Sequence, residues 1–158
     1  MRIKVVTIGK LKHSFIREGE SEYLKRLPSH VKVSFLELEP AQKGRDNSDI
    51  EKIKEWDSQA VLSQVDSGGV LVVLDEGGKS FDSKGFAAWL EKSMVQGRSR
   101  LTFAIGGAYG WSDSIRERAD LVLSLSPLTF NYQLSRLVLV EQLYRAFSIL
   151  EGSPYHKA

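Results

Sequence analysis

Three short apolar runs of this chain each end in a loop whose residues could hold a small molecule. The runs are Val70 to Leu74, Leu101 to Ile105 and Leu121 to Leu125. The loops that follow them are Asp75-Glu76-Gly77-Gly78-Lys79, Gly106-Gly107-Ala108-Tyr109-Gly110 and Ser126-Pro127-Leu128-Thr129-Phe130-Asn131-Tyr132. Loops at the carboxyl ends of parallel strands build the ligand site of an open α/β sheet. The sequence therefore predicts one small-molecule pocket, assembled from the C-terminal half.

The chemistry of these loops favours a flat, uncharged ring over a phosphate. Adjacent glycines at Gly106 and Gly107 let the backbone approach a flat ligand closely. The stretch from Ser124 to Phe130 is apolar and hydroxylic, and Pro127 prevents it from continuing a strand. Its backbone groups need partners if the loop is buried, and a ring such as adenine would supply them. A plain glycine turn and a buried connection are the alternatives for these two loops.

Two common nucleotide motifs are excluded by spacing. Gly77-Gly78-Lys79-Ser80 resembles the end of a phosphate-binding P-loop, but the earlier glycine of that motif would fall on Val73, inside a strand. We therefore expect a tight turn close to a ligand there. Gly106 and Gly107 are adjacent, and the next strand ends in Ser124-Leu125-Ser126 without an acidic residue, which disfavours NAD.

The titratable residues show no ready-made catalytic cluster. His13 and His30 lie in predicted connections and are expected at the surface, and His156 stands in the tail Tyr155-His156-Lys157. No Ser/His/Asp arrangement and no metal-ligand spacing is evident, so we expect no metal. The chain contains no cysteine, which excludes disulfides and fits a reducing cytoplasm.

Strands alternate with helices along the chain, which predicts one α/β domain over residues 1–158 with a largely parallel sheet. The predicted strands are Arg2 to Ile8, Val31 to Leu38 and the three runs above; the predicted helices are Phe15 to Leu27, Ile50 to Val65, Ser83 to Met94, a short one near Asp113 to Arg118, and Leu134 to Leu150. The polar segment from Pro40 to Asn47 is expected to be a loop. The N-terminus is too short and too charged for a signal peptide, and no apolar run is long enough for a membrane span.

The last predicted helix is apolar on more than one side. Its apolar residues are Leu134, Leu137, Val138, Leu139, Val140, Leu143, Tyr144, Ala146, Phe147, Ile149 and Leu150. A helix on the surface of a monomer carries a stripe instead. The helix is either buried inside the domain or shared between the core and a second subunit, and we favour a homodimer. Glu141 and Arg145 are spaced for an ordinary helix ion pair.

The net charge of +2 is too small to predict nucleic-acid binding by itself, but the charged residues are unevenly distributed along the chain. Residues 1–45 carry ten Lys or Arg against five Asp or Glu, residues 46–78 carry two against eight, and residues 79–158 carry ten against seven. A basic face built from the two ends is one interpretation, and a mixed solvated surface is the other.

The three loops in this order, followed by Leu139-Val140-Glu141-Gln142-Leu143-Tyr144-Arg145-Ala146 and the tail Tyr155-His156-Lys157, resemble the RlmH family. The resemblance extends over the whole chain and includes Gly9-Lys10 and Glu22-Tyr23-Leu24-Lys25-Arg26-Leu27. These are SPOUT-class methyltransferases, which methylate N3 of a pseudouridine in 23S ribosomal RNA of the large subunit.

The resemblance implies a SPOUT-type fold with a C-terminal trefoil knot, a homodimer, and S-adenosyl-L-methionine as the methyl donor. The implied donor-binding residues are Leu74, Gly106, Gly107, Leu125, Ser126, Pro127, Leu128, Thr129 and Phe130. Arg136 and the Tyr155-His156-Lys157 tail would face the RNA, within the assembled ribosome. The family usually has Pro-His at Asn131-Tyr132, which would leave Tyr132 to position the RNA, and Pro or Ser at Ala108.

Methylation at N3 requires loss of the imide proton, and this suggests two catalytic roles. Arg136 is the candidate cation for the developing anion, and His156 is the candidate base. Two alternatives to this function are a non-catalytic, ribosome-associated RNA-binding protein, favoured if Tyr132 marks lost activity, and a flavodoxin-like nucleotide-binding enzyme.

Overall fold

Strands and helices alternate in the structure, a computed structural model that describes residues 1–41 and 49–157. The strands are β1 (Arg2–Ile8), β2 (Lys32–Leu38), β3 (Val70–Ser80), β4 (Arg100–Ile105) and β5 (Leu121–Ser124). The helices are α1 (Ser14–Leu24), α2 (Ile50–Leu62), α3 (Ser83–Val95), α4 (Asp113–Arg118) and α5 (Tyr132–Leu150). Every predicted element is present within a few residues of its predicted ends, except that β3 extends six residues beyond Leu74. Most of the predicted loop from Pro40 to Asn47 lies outside the described residues.

The five strands form one sheet in the order β2-β1-β4-β3-β5, and all neighbouring strands run parallel. This confirms the predicted α/β class and the parallel sheet. A flavodoxin-like sheet would have the order 2-1-3-4-5. Because β4 lies between β1 and β3 here, the flavodoxin-like alternative is wrong. No helix in the described part of the chain has the length and apolar character needed to cross a membrane.

Both faces of the sheet are covered, which explains why the strands read as continuous apolar runs. Along β3, Val70, Val72 and Leu74 pack into a core with α3 and α5. Leu71 and Val73, on the same strand, pack into a second core with α2 and α4. The side chains alternate between the two faces because the strand period is two.

Strand β3 is longer than its apolar run. It continues to Ser80, and its pairing with β5 shifts in register between Leu74 and Lys79. The expected tight turn at Gly77-Gly78-Lys79-Ser80 is therefore wrong. Gly78 lies so close to β5 that a Cβ atom there would be 2.6 Å from the Val122 carbonyl oxygen.

Helix α5 lies between α1 and α3 and contributes Leu139, Leu143 and Phe147 to the first core. Much of its apolar surface is thus used inside the domain, while Leu134 stays 37% exposed. The helix begins two residues earlier than its apolar pattern, because the Asn131 side chain caps it by accepting a hydrogen bond from Leu134 N at 2.9 Å.

Candidate functional site

The irregular part of β3 and the loops that follow β4 and β5 enclose a cavity of about 280 Å³, close to where the three-loop pattern predicts a pocket. Its lining residues are Leu74, Asp75, Glu76, Ile105, Gly106, Gly107, Ala108, Tyr109, Gly110, Trp111, Arg116, Leu125, Ser126, Leu128, Thr129, Phe130, Tyr132 and Ser135. We call this the first cavity. Eight of the nine residues predicted to bind the donor line it, and Pro127 does not.

Trp111 fixes the floor of the first cavity, and the sequence reasoning missed it. Its indole is 1% exposed, and its Nε1 donates a hydrogen bond to the Leu74 carbonyl oxygen at 3.0 Å. A Cβ atom at Gly106 would lie 3.0 Å from the Trp111 ring. Gly106 is therefore required so that Trp111 can pack beneath the loop and tie β3 to β4. A bulky aromatic directly after a glycine loop was the available signal.

An ion pair closes one side of the first cavity. Arg116 Nε donates to Asp75 Oδ2 at 3.0 Å, and Arg116 Nη1 donates to the Trp111 carbonyl oxygen, also at 3.0 Å. Burial opposes ionisation of Asp75, but the Arg116 guanidinium and the Gly77 N–H outweigh it and hold the pKa of Asp75 below its usual value. With exposed Glu76 beside it, this edge of the cavity is acidic.

The residues present fit S-adenosyl-L-methionine. Apolar side chains from Leu74, Leu125 and Phe130, together with the exposed backbone of Gly106 and Gly107, suit an adenine ring. The carboxylates of Asp75 and Glu76 suit the positively charged sulfonium and ammonium groups or the ribose hydroxyls of such a donor.

A second cavity of about 600 Å³ lies beside the first and shares part of its wall. The shared residues are Gly106, Gly107, Ala108, Thr129, Phe130 and Tyr132. The second cavity is further lined by Ile8, Gly9, Lys10, Lys12, Glu39, Pro40, Asp57 and Asn131. The sequence reasoning missed this cavity because half of its lining comes from the ends of β1 and β2 and from α2, far from the three loops in the chain.

Gly107 lies in the wall between the two cavities, where there is little room for a side chain. A Cβ atom at Gly107 would lie 3.1 Å from Ile8 Cγ2 and 3.6 Å from Asp57 Oδ2. A side chain at Gly107 would therefore point toward Ile8, in the core, and toward the second cavity.

Tyr132 touches both cavities and holds the loop after β1. Its hydroxyl donates to the Lys10 carbonyl oxygen at 2.8 Å. Its ring packs on Gly9, where a Cβ atom would lie 3.0 Å from Tyr132 Cζ. Gly9 also has a φ of +121°, a backbone conformation that favours glycine. Both the backbone conformation and the contact with Tyr132 therefore favour glycine at this position.

Arg136 does not face solvent, contrary to its expected place toward RNA. It is 3% exposed, and its guanidinium binds Glu20 through Nε at 2.8 Å and Nη2 at 3.0 Å. Its Nη1 binds Glu37 Oε2 at 2.7 Å, and the Phe35 ring lies 4.5 Å from its Cζ. Two carboxylates already neutralise its charge, so this arrangement gives no support to the expected role of Arg136 in stabilising an anion on a substrate.

The C-terminal tail packs against α5 of its own chain. The Tyr155 hydroxyl donates to Glu141 Oε1 at 2.9 Å, and His156 Nδ1 lies 3.1 Å from Arg145 Nη1. Burial, with the neighbouring Glu141 carboxylate, raises the pKa of Tyr155 above its usual value. Thirteen residues of helix separate Arg145 from Tyr132, about 20 Å at ~1.5 Å per residue. His156 and its neighbour Lys157 therefore lie far from the cavities of their own chain.

Comparison with known proteins gives a result over the whole chain. A family model described as "Predicted SPOUT methyltransferase" matches residues 1–156. A protein of Streptococcus pneumoniae named "Ribosomal RNA large subunit methyltransferase H" is 45% identical, over 99% of this chain and 100% of its own length. A protein of Enterococcus faecalis with the same name is 42% identical over the same shares. This chain therefore belongs to the SPOUT methyltransferase family.

Proposed function

We propose that this protein methylates N3 of a pseudouridine in 23S ribosomal RNA, using S-adenosyl-L-methionine, and acts on the assembled ribosome in the cytoplasm. The observation that carries the proposal is the full-length match to relatives named as methyltransferases of large-subunit ribosomal RNA. The first cavity supports it, because the residues expected to hold the donor converge there from three strand ends.

In this proposal the first cavity holds the donor, which when bound supplies an electrophilic methyl group on a sulfonium. Leu74, Leu125 and Phe130 enclose the adenine, and Asp75 and Glu76 hold the cationic or hydroxyl groups. Trp111 holds the loop after β4 at a fixed distance from Leu74 in β3. A cavity of fixed shape helps to hold the methyl group of the donor in line with the acceptor nitrogen.

The acceptor nitrogen carries an imide proton, which must leave as the N3–methyl bond forms. Arg136 is unavailable for charge stabilisation because it is buried in its ion pairs. His156 lies too far along α5 to serve the cavities of its own chain. If the tail takes part, through Tyr155, His156 and Lys157, it does so at the cavities of a second copy of the chain.

The second candidate function is a ribosome-associated RNA-binding protein of the same fold without catalysis. The replacement of the family's usual histidine by Tyr132 favours it, since a phenol with a pKa near ~10 is a poor base at neutral pH. Calorimetric titration of the purified protein with S-adenosyl-L-methionine separates the two. We expect saturable binding at one or two sites per dimer, and no heat of binding would support the non-catalytic alternative.

The donor site is tested separately by Leu125→Asp, which places a charge in the adenine side of the first cavity. We expect the dissociation constant of the donor to rise at least about tenfold, because an unpaired carboxylate near an apolar ring costs more than ~1.4 kcal/mol. Val95→Asp is the control, since Val95 is 81% exposed and lines neither cavity, so that its carboxylate would stay in water far from the donor. Equal effects of the two substitutions would remove the assignment.

A further inference from the structure

The second cavity has the size and the lining of a binding site in its own right. Its volume of about 600 Å³ lies within the range of roughly 300–1,000 Å³ that small-molecule sites occupy. It adjoins the proposed donor cavity through the wall formed by Gly106, Gly107 and Ala108. A group bound in it would sit next to a donor bound in the first.

The segment from Gly9 to His13, which we call the β1–α1 loop, forms one edge of this cavity and is held by three side chains. Tyr132 donates to its Lys10 carbonyl, and Glu37 accepts from Leu11 N. Gln133 Oε1, in a side chain that is 5% exposed, accepts from Lys12 N at 2.9 Å and from His13 N at 3.0 Å.

These contacts fix the backbone of the loop and leave its two ammonium groups uncommitted. Lys10 and Lys12 are both exposed, and among residues 1–41 and 49–157 neither has a carboxylate partner within salt-bridge distance. Arg136 helps to hold the loop indirectly. It neutralises Glu37 and so keeps that carboxylate in place to accept the hydrogen bond from Leu11 N. The loop thus presents two cations on a rigid backbone, which suits phosphate groups.

The lining of the cavity also contains a buried acceptor. Asp57, on α2, is 5% exposed, and its Oδ1 accepts from Ala41 N at 2.9 Å. Burial raises the pKa of Asp57, so this carboxylate is a stronger proton acceptor than an exposed one. The lining also includes the apolar side chains of Ile8, Pro40 and Phe130.

We infer that the second cavity receives the acceptor nucleotide of the RNA, with its flanking phosphates on Lys10 and Lys12 and an N–H edge of its base directed to Asp57. The apolar lining covers the faces of the base, as in other sites that take bases from unpaired RNA. The inference rests on the proposed function, because it supplies the acceptor half of that reaction.

The first test removes the two charges. Lys10→Gln/Lys12→Gln is compared with Lys32→Gln/Lys92→Gln, which removes two exposed lysines at the other end of the sheet. Binding to assembled ribosomal particles, isolated from a strain that lacks the gene, is measured by filter retention over a range of salt concentrations. We expect the loop variant to bind about tenfold more weakly than the control, with the slope of log affinity against log salt reduced by about 1.5.

Donor affinity is measured on the same variants by calorimetry, and we expect it to stay within about twofold of the wild type. Equal particle affinity and equal salt slope for the two double variants would overturn the inference. A lower affinity of the loop variant for the donor would also overturn the inference, because the second cavity would then be an extension of the donor site.

The second test is Asp57→Asn, which keeps the shape of the side chain and an oxygen for Ala41 N. We expect kcat/KM for methyl transfer to the particles to fall at least about tenfold, with donor affinity unchanged. A rate within twofold of the wild type overturns the role of Asp57. If Asp57→Asn does not fold, the lysine variants decide the inference alone. Wild-type protein that binds particles but transfers no methyl group would contradict the proposed function, while the filter-retention comparison would still test the cavity.

Discussion

At the scale of the residue, the placement of Arg136 changes what its loss should do. Removing the guanidinium leaves the buried Glu20 and the partly buried Glu37 without their counter-charge. We expect Arg136→Met to lower the free energy of unfolding by about 3–5 kcal/mol, measured by urea denaturation. Arg26→Met, which breaks an exposed pair with Glu22, is the matched control and should change stability little. Normal stability of Arg136→Met together with lost turnover would return Arg136 to a role on the substrate.

The same cluster predicts a dependence on pH. Burial opposes ionisation of Glu37, but hydrogen bonds from Leu11 N and Arg136 outweigh it and hold the pKa of Glu37 below its usual value. A carboxylate with a depressed folded pKa stabilises the fold above its unfolded pKa of ~4.3, and this stabilisation is lost as pH falls through the folded value.

We therefore expect the unfolding free energy of the wild type to fall more steeply between about pH 5 and pH 3 than that of Glu37→Gln. Asp75 and Asp120 also have lowered pKa values, and they contribute equally to both proteins. Urea denaturation at a series of pH values measures the difference. Parallel curves for the two proteins would show that Glu37 does not carry this stabilisation.

At the scale of the element, strand β3 depends on one of two adjacent glycines. A Cβ atom at Gly78 would lie 2.6 Å from the Val122 carbonyl oxygen in β5, whereas one at Gly77 would meet only Asp75 Oδ1 at 3.4 Å. We expect Gly78→Ala to cost about 1–3 kcal/mol of stability, because backbone must move to admit the methyl group. Gly77→Ala should cost clearly less. Equal thermal unfolding midpoints for the two variants would contradict the close approach of β3 and β5.

The elements of this fold were largely predictable, because its strands are buried on both faces and its helices other than α5 carry their apolar residues mainly on one side. Runs such as Val70 to Leu74 are determined by local composition, and their ends place the donor loops. The continuation of β3 to Ser80 was not predictable, since it depends on pairing with β5, which is distant in sequence. The burial of Arg136 depends on Glu20 and Glu37, which the fold brings to it from two other elements.

At the scale of the whole molecule, the homodimer remains a prediction. Within one chain α5 is already packed between α1 and α3, so its apolar character alone no longer requires a partner. The position of the tail gives a separate reason, because His156 lies far from the cavities of its own chain. We expect light scattering at micromolar concentration to give twice the mass of 17.7 kDa. A monomeric mass would contradict both the dimer and any role of the tail in catalysis.

Mixed dimers then test whether the tail serves the partner's cavities. One chain would carry Leu125→Asp in the donor cavity, and the other would end before Tyr155. If the tail acts across the dimer, each mixed dimer contains one complete site, and it should regain about half of the normal activity. Activity no higher than that of the two inactive parents would confine the tail to its own chain. The trefoil knot, which the resemblance implies for the C-terminal part, also stays a prediction.

Methylation of N3 of a pseudouridine is tested most directly by mass mapping of 23S ribosomal RNA. Assembled ribosomal particles from a strain that lacks this gene would be incubated with the purified protein and S-adenosyl-L-methionine bearing a deuterated methyl group. Nuclease fragments of the RNA would then be analysed by mass spectrometry. We predict one labelled methyl group, on N3 of a single pseudouridine, with far less label when naked RNA replaces the particles. Label at another base, or no label while the donor binds normally, would contradict it.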